Sequence, residues 1–480
     1  MKRHIIPAII AALLVLAIPV TLVSIGFGLP SQFSETFYGE AAVMYRRLHE
    51  SKRKKIVLIG NSAVAFGSRS DLIEGEISGY DVINFGIYGA IGTKAMLDWS
   101  LNAIHEGDIV VILPEPYAQT SSLYFSAKDT WRAVDSDFSM LSNLSWDDGK
   151  SMIGCFTDYT SEKYQVFQGK KTVSAEGAYS RKAFEDGNGN NRGYMTFERP
   201  YNVMGGGYDK ANVPVIDPSV YGPGFLDYLN NYAASVKQKG ARAYFGFCPV
   251  NSLSLGADKQ EKADRVYDYL YEHLTFPILG HPAKYFIDYR YFYDNNVHMN
   301  SAGAFIFTDL LAEDLKLELD IRHPSFIDMP APPEIPASET TQGDNVDASM
   351  FEYETVQGAT ETYIRLTGLT EEGKQCVSLT VPSDYDGVPV REFTHAVFAG
   401  NETISRIVLP SNIHTLEDGI FNGCTRLAEL VFRHDSITGL NAGLDFLFGA
   451  DNCYIYLKKT VSVVDCAGGW ERYLSRIRYY

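Results

Sequence analysis

KIVLIGNSAVAFG, residues 55–67, decides the class of the fold. Lys55 to Ile59 is a short aliphatic and β-branched run, the composition of a strand buried on both faces. Gly60-Asn61-Ser62 follows it directly. Four more runs of the same kind recur: Asp81 to Phe85 (DVINF), Asp108 to Leu113 (DIVVIL), Ala241 to Phe247 (ARAYFGF) and Tyr285 to Asp288 (YFID). Apolar residues at helical spacing occupy 33–53 and about 92–106, 225–239, 257–275 and 301–317. Strands alternating with helices predict an α/β fold built as a doubly wound parallel sheet. Residues 119–222, polar and rich in aromatics, break the alternation and are expected to form an insertion that shapes a pocket.

The 480 residues are 45 % hydrophobic and 21 % charged, a globular composition with room for two cores. Forty-two basic against fifty-nine acidic residues leave a net charge of −17, which argues against nucleic acid as a partner. The six cysteines show neither paired CxxC spacing nor His partners, so no zinc site, disulfide-built fold or other cofactor is expected. Whether Cys453 and Cys466 pair is left open. Asp186-Gly-Asn188-Gly-Asn190 begins like a calcium loop, but Asn191 and Phe197 stand where such a loop needs Gly and Glu, and a turn is expected instead.

Lys2, Arg3 and His4 precede an uncharged stretch from Ile5 to about Phe27, and roughly 20 apolar residues suffice to cross a bilayer as a helix. Pro7 and Pro19 lie within it. The basic flank on the N-terminal side, with Glu35 and Glu40 on the other, orients the N-terminus to the cytoplasm. A single-pass anchor over residues 1–30 is the reading, with the bulk of the chain on the outer face of a cell membrane. A cleaved secretory signal is the competing one, and it exports the same residues.

The expected organisation is then an α/β domain over 31–325, a linker rich in Pro, Ser, Thr and acid over 326–349, and a second domain over 350–480. In the second domain Phe393, Phe398, Gly400, Ile404 and Ile407 recur 23 residues later as Leu416, Phe421, Gly423, Leu427 and Leu430. HAVFAGNETISRIVLPSNIHTL and DGIFNGCTRLAELVF resemble cell-surface leucine-rich repeats of the BspA type over about 350–460. Two clear copies are fewer than the roughly three a solenoid needs, so the flanking segments are expected to cap a small one.

Ser62, at the end of the first strand, occupies the edge of a parallel sheet where reactive side chains gather. It reads either as a nucleophile or as a helix cap. Asp294 and His298, in DNNVHMNSAG between the last strand run and the last helix, fall on the same edge. His298 can take the Ser62 proton while Asp294 fixes its tautomer. Gly89, in NFGIYG after the second strand, can offer its N–H with that of Ser62 as an oxyanion hole, or can serve a turn that needs positive φ. Asn61, Asn84 and Glu115 complete the set as candidate substrate-binding positions. Glu115 can equally act as an acceptor for backbone N–H groups.

GNSAVAFG, NFGIYG and DNNVHMNSAG, in that order, resemble the SGNH (GDSL-like) hydrolase superfamily over about 54–322. The resemblance implies a flavodoxin-like sheet, Ser62 as nucleophile, Gly89 as oxyanion donor, and Asp294 and His298 as acid and base. Two features depart from the usual pattern. The Gly-x-Asn-Asp block is absent, DIVVIL running instead into Pro114-Glu115-Pro116-Tyr117, and the Asp-to-His gap is one residue longer than Asp-x-x-His. Both, with the anchor, resemble the branch containing the teichoic acid D-alanyl transfer protein and the alginate O-acetyltransferases. The implied activity is that of a serine acyl hydrolase or O-acyltransferase acting on acyl esters of cell-envelope or exopolysaccharide glycans, with hydrolysis and transfer left open. The alternative is a non-catalytic surface protein that binds a protein or glycan through its repeats.

Overall fold

The computed structural model describes residues 17–333, 348–463 and 469–480. Most of the expected membrane span therefore lies outside the described residues. Residues 17–28 form a helix (α1), and no helix among the described residues is long and apolar enough to cross a membrane. Most of the expected linker, 334–347, and Cys466 also fall outside them.

The chain is a mixed α/β protein with parallel sheets. After α2 (Phe37–Glu50) come β1 (Lys54–Gly60), α3 (Ser62–Gly67), α4 (Ser70–Glu76), β2 (Tyr80–Gly86), α5 (Thr93–Leu101) and β3 (Ile109–Leu113). The insertion contributes α6 (Ala127–Val134), α7 (Trp146–Gly154) and α8 (Phe156–Phe167), followed by α9 (Phe225–Gln238) and β4 (Arg242–Phe245). The four strands are parallel in the order β2-β1-β3-β4. Right-handed crossovers leave β1 toward β2 and return from β2 to β3, which puts their helices on opposite faces. α3 and α4 accordingly pack with the last helix of the unit, α11 (Ser301–Glu318), whereas α5 packs with α2 and α9. Ile56 to Ile59 and Ile109 to Leu113 are fully buried, as their uninterrupted apolar runs require.

One expected strand is corrected. Tyr285 to Asp288 does not join the main sheet: β6 (Phe286–Ile287) pairs only with β5 (Val250–Asn251). A two-residue segment wedged between a 3-10 turn on each side offers too few ladder groups to extend the sheet. α10 (Lys259–His273) separates the two short strands.

Residues 26–33 are clamped to the insertion. The buried pair Lys163–Asp135 (2.7 Å) lies under this segment, Lys163 Nζ donating to the Gly26 carbonyl at 2.9 Å. Asp135 Oδ2 accepts from Ser31 Oγ and the Gln32 N–H, each at 2.7 Å.

Beyond residue 347 an antiparallel hairpin, β7 (Phe351–Gln357) and β8 (Thr362–Leu369), precedes β9 (Ser378–Thr380), β10 (Asp384–Tyr385) and β11 (Val388–Phe393). Then follow β12 (Arg406–Leu409), β13 (Thr415–Leu416), β14 (Glu429–Phe432), β15 (Asn441–Ala442), β16 (Tyr454–Leu457) and β17 (Ile477–Tyr479). Five of these stack in parallel as β17-β16-β14-β12-β9. The 23-residue offset is the register itself, since Ile407 lies opposite Leu430. Phe398 stacks on Phe421 in the core, with ring centroids 5.4 Å apart. β9, β16 and β17 extend the stack past the two copies visible in sequence, and the β7–β8 hairpin joins β11 and β10 in a separate four-stranded sheet.

The two units meet closely. Tyr208 donates its hydroxyl to the Thr403 carbonyl at 2.7 Å, and Tyr289 to Glu429 Oε1 at 2.9 Å, while Tyr208, Leu253, Tyr289 and Ala428 bury an apolar patch between them.

Candidate active site

The strand order reverses direction between β1 and β3, and in open α/β sheets the crevice beyond the strand ends at that point receives ligands. Ser62 follows β1 and Glu115 follows β3. A cavity of about 480 Å³ opens there, lined by Ser62, Gly89, Glu115, Tyr179, Asn295 and His298 among others. Of the expected set, the fold thus gathers Ser62, Gly89, Glu115 and His298 around one space, with Asp294 directly behind His298.

Gly60 lets the β1 turn form. A Cβ there would stand 2.5 Å from the Leu113 carbonyl oxygen, so only glycine allows α3 to start immediately after the strand. Ser62 opens α3 and so projects from the sheet edge. Its hydroxyl donates to Glu115 Oε1 at 2.8 Å, and the same oxygen accepts the Ala63 N–H at 2.8 Å. Glu115 is buried, and its backbone carbonyl is fixed by the Thr120 and Ser121 hydroxyls, each at 2.9 Å. Glu115 is thus an acceptor for a backbone N–H, as one of its two readings expects, and it also lines the cavity.

His298 is anchored from three sides. Its Nδ1 lies 2.8 Å from Asp294 Oδ1, and the Tyr179 hydroxyl donates to Asp294 Oδ2 at 2.6 Å. Asn295 Oδ1 accepts the His298 N–H at 2.8 Å and so shapes the loop. The ring stacks on Phe66 with centroids 3.9 Å apart. The Asn295 amide nitrogen lies 2.9 Å from the same Nδ1, but the charged Asp294 carboxylate at 2.8 Å is the stronger partner, so the proton is assigned to Nδ1, which leaves the Nε2 lone pair free. Nε2 is buried and meets no hydrogen-bond partner among the described residues. Burial alone would raise the Asp294 carboxyl, but the hydrogen bond and charge of His298, joined by Tyr179, outweigh it and hold the carboxyl below its ordinary value. Burial, with the Asp294 charge, pushes the Tyr179 phenol well up.

Ser62 and His298 share no hydrogen bond among the described residues, the serine hydroxyl being donated to Glu115. Two expectations are corrected. Asn61 and Asn84 do not line the cavity. Asn61 is fully buried, accepting the Thr93 hydroxyl at 2.7 Å, and Asn84 Nδ2 donates to the Val64 carbonyl at 3.2 Å, tying β2 to α3. Gly89 does not supply a positive φ, a role that falls to Gly92 at 93°. A Cβ on Gly89 would instead come within 3.3 Å of Glu115 Oε2 and Thr120 Cγ2. Neither the Ser62 nor the Gly89 N–H is engaged in a hydrogen bond among the described residues.

Tyr179, Phe66 and Arg199 went unnoticed in sequence. Arg199 is buried behind Phe66, donating to the carbonyls of Met299 (3.1 Å), Phe197 (2.6 Å) and Phe66 (3.3 Å), and burial lowers its pKa to about 10. It joins the end of α3 to the His298 loop and keeps the Phe66 ring under the imidazole. Asp186 closes a turn by accepting the Asn188 and Asn190 N–H groups at 2.9 and 3.0 Å, as expected of that segment.

No protein-family model matches the chain, and no curated protein matches it. Among solved structures it is similar to the crystal structure of a leucine-rich repeat protein from T. pallidum, at 25 % identity with a TM-score of 0.20. The match takes in 24 % of this chain and half the length of that protein.

Proposed function

We propose that the protein is a serine acyl hydrolase or O-acyltransferase of the SGNH kind, held at the outer face of a membrane by its N-terminal apolar stretch and carrying BspA-type repeats. The observation that carries this reading is the shared cavity, which Ser62 and an Asp294-bound His298 both line at the carboxyl edge of the sheet, with the buried His298 Nε2 left without a hydrogen-bond partner among the described residues. The sequence order of GNS, NFGIYG and DNNVH supports it.

In this mechanism Ser62 Oγ attacks an ester carbonyl while its proton passes to His298 Nε2, and Asp294 stabilises the imidazolium. The hydroxyl first leaves Glu115, a rotation about the serine Cα–Cβ bond. The open N–H groups of Ser62 and Gly89 receive the oxyanion, a contribution of roughly 3 kcal/mol per donor in other serine hydrolases. The protonated His298 then returns its proton to the departing alkoxide, and water or a sugar hydroxyl takes the acyl group from Ser62. Acyl esters of envelope or exopolysaccharide glycans are the proposed substrates.

The test is fluorophosphonate labelling of the full chain, read by intact mass, for wild type, Ser62→Ala and His298→Ala. An adduct on wild type alone supports the nucleophile. A folded wild-type chain that takes no adduct returns the α/β unit to a binding role beside the repeats.

A further inference from the structure

A second cavity, of about 460 Å³, lies in the seam between the two units. Ser252, Lys259 and Tyr289 reach it from the α/β unit, and Thr425, Asn452 and Arg476 from the repeat unit. It lies apart from the Ser62 cavity and shares no lining residue with it.

The chain carries a net charge of −17, yet cations without counter-charges collect around this seam. Lys259 is half-buried at the start of α10, and its ammonium donates to the Ser252 hydroxyl at 2.5 Å. Arg476 donates to the Ala450 carbonyl at 3.3 Å. Next to the lining, Arg426 donates to the Ser254 carbonyl at 3.2 Å, while its buried Nε has no acceptor. Arg478 lies over the Tyr454 ring at 4.6 Å. Among the described residues none of these four meets a carboxylate within ion-pair distance. Two acids also line the cavity: Asp288 is taken up by Arg290, at 2.9 Å through both oxygens, and Asp451 is exposed. Partly burying an ammonium without an opposite charge is unfavourable, and an incoming anion removes that penalty. Ser252, Thr425 and Asn452 add neutral donors and acceptors of the kind that pair with sugar hydroxyls.

We propose that the seam cavity binds a small hydroxylated anion, a sugar carrying a carboxylate or phosphate. Lys259 of one unit and Arg476 of the other receive its acidic group, so the site is complete only while the two units stay docked. The cavity volume lies in the range of ordinary small-molecule sites. The assignment is independent of any chemistry at Ser62.

Calorimetric titration of the full chain with glucuronate, glucose 6-phosphate and neutral glucose tests it. One bound anion per chain is expected, with glucose at least about tenfold weaker, and the preferred probe tells carboxylate from phosphate. Lys259→Gln and Arg476→Gln should each lower affinity about tenfold, the loss of one charge-assisted hydrogen bond. Melting curves of the unliganded variants verify folding, and Ser62→Ala should bind as wild type does. Absence of heat with both anions, equal binding of glucose, undiminished binding in both cation variants, or loss of binding in Ser62→Ala overturns the proposal.

Discussion

Replacing Glu115 with glutamine keeps the shape of the side chain and removes its charge. In the wild-type protein Oε1 accepts both the Ser62 hydroxyl and the Ala63 N–H at 2.8 Å. A hydrogen bond to a charged acceptor contributes about 1.5–3 kcal/mol and a neutral one about 0.5–1.5 kcal/mol. The amide therefore loosens its hold on the serine by about 1 kcal/mol. With His298 as the base, the hydroxyl must leave position 115 before it reacts, and easier departure speeds the step by up to about fivefold. Removing a negative charge beside Gly89 also favours the developing oxyanion. The assay is the second-order rate of fluorophosphonate modification, followed by intact mass for wild type, Glu115→Gln and His298→Ala. Glu115→Gln should label at least as fast as wild type, whereas His298→Ala should fall by about a hundredfold or more. A folded Glu115→Gln chain that labels a hundredfold more slowly refutes the reasoning, because Glu115 itself would then be taking the proton.

Asp294→Asn should slow labelling by about 10²–10⁴-fold, since an amide cannot hold the Nδ1–H tautomer or stabilise the imidazolium. The Asp294 carboxyl sits below its ordinary 3.8, so its stabilising effect is complete above that value and is lost as pH falls through the lower folded one. In pH-dependent calorimetry the variant should melt below wild type near neutrality and converge with it in acid. Glu40 behaves in the opposite sense: burial, only partly offset by Asn191, Arg181 and Arg47, raises its carboxyl from 4.5 to about 8. Its contribution is full below 4.5 and disappears as pH rises through 8, so Glu40→Gln should melt above wild type at alkaline pH and match it near pH 4. Asp135→Asn strands the buried Lys163 ammonium and should destabilise the α/β unit by about 3–5 kcal/mol in denaturant titration. A melting curve unchanged by that substitution contradicts the clamp on residues 26–33.

Local signals carried the sequence reading furthest. KIVLI followed by Gly-Asn-Ser identifies a strand, its end and the approach of a helix within eight positions, and β1 and α3 lie there, with Asn61 rather than Ser62 at the cap position. The 23-residue offset identifies stacked turns because identical spacing means identical register, as Ile407 opposite Leu430 demonstrates. Asn300 caps α11 by accepting the Gly303 N–H at 2.9 Å, so the helix start after DNNVHMN was also legible. Partners contributed from afar were not. Tyr179 is one of thirty-one tyrosines in a segment without periodicity, and only folding of the insertion brings it to Asp294. Asn61 and Asn84 were misread for a related reason. Polar residues at strand ends either face a ligand or satisfy buried groups, as Asn61 does for the Thr93 hydroxyl and Asn84 for the Val64 carbonyl, and the sequence does not distinguish the two where a glycine-tight turn brings helix and strand together.

The contact between Ser62 and Glu115 follows from topology more than from either local motif. Fifty-three residues separate them, and a sheet wound in one direction only would place β2 and its crossover between their strands. In the order β2-β1-β3-β4, β1 and β3 are neighbours, with Gly60 opposite Leu113 at the end of the ladder. The next residues on each chain then enter the same crevice, one beginning a helix and the other held between Pro114 and Pro116. A carboxylate in that position meets the Ala63 N–H of the new helix and the Ser62 hydroxyl at its first turn together. The Glu115→Gln rate therefore measures what an acceptor placed by the β1–β3 neighbourhood does to the reactivity of Ser62.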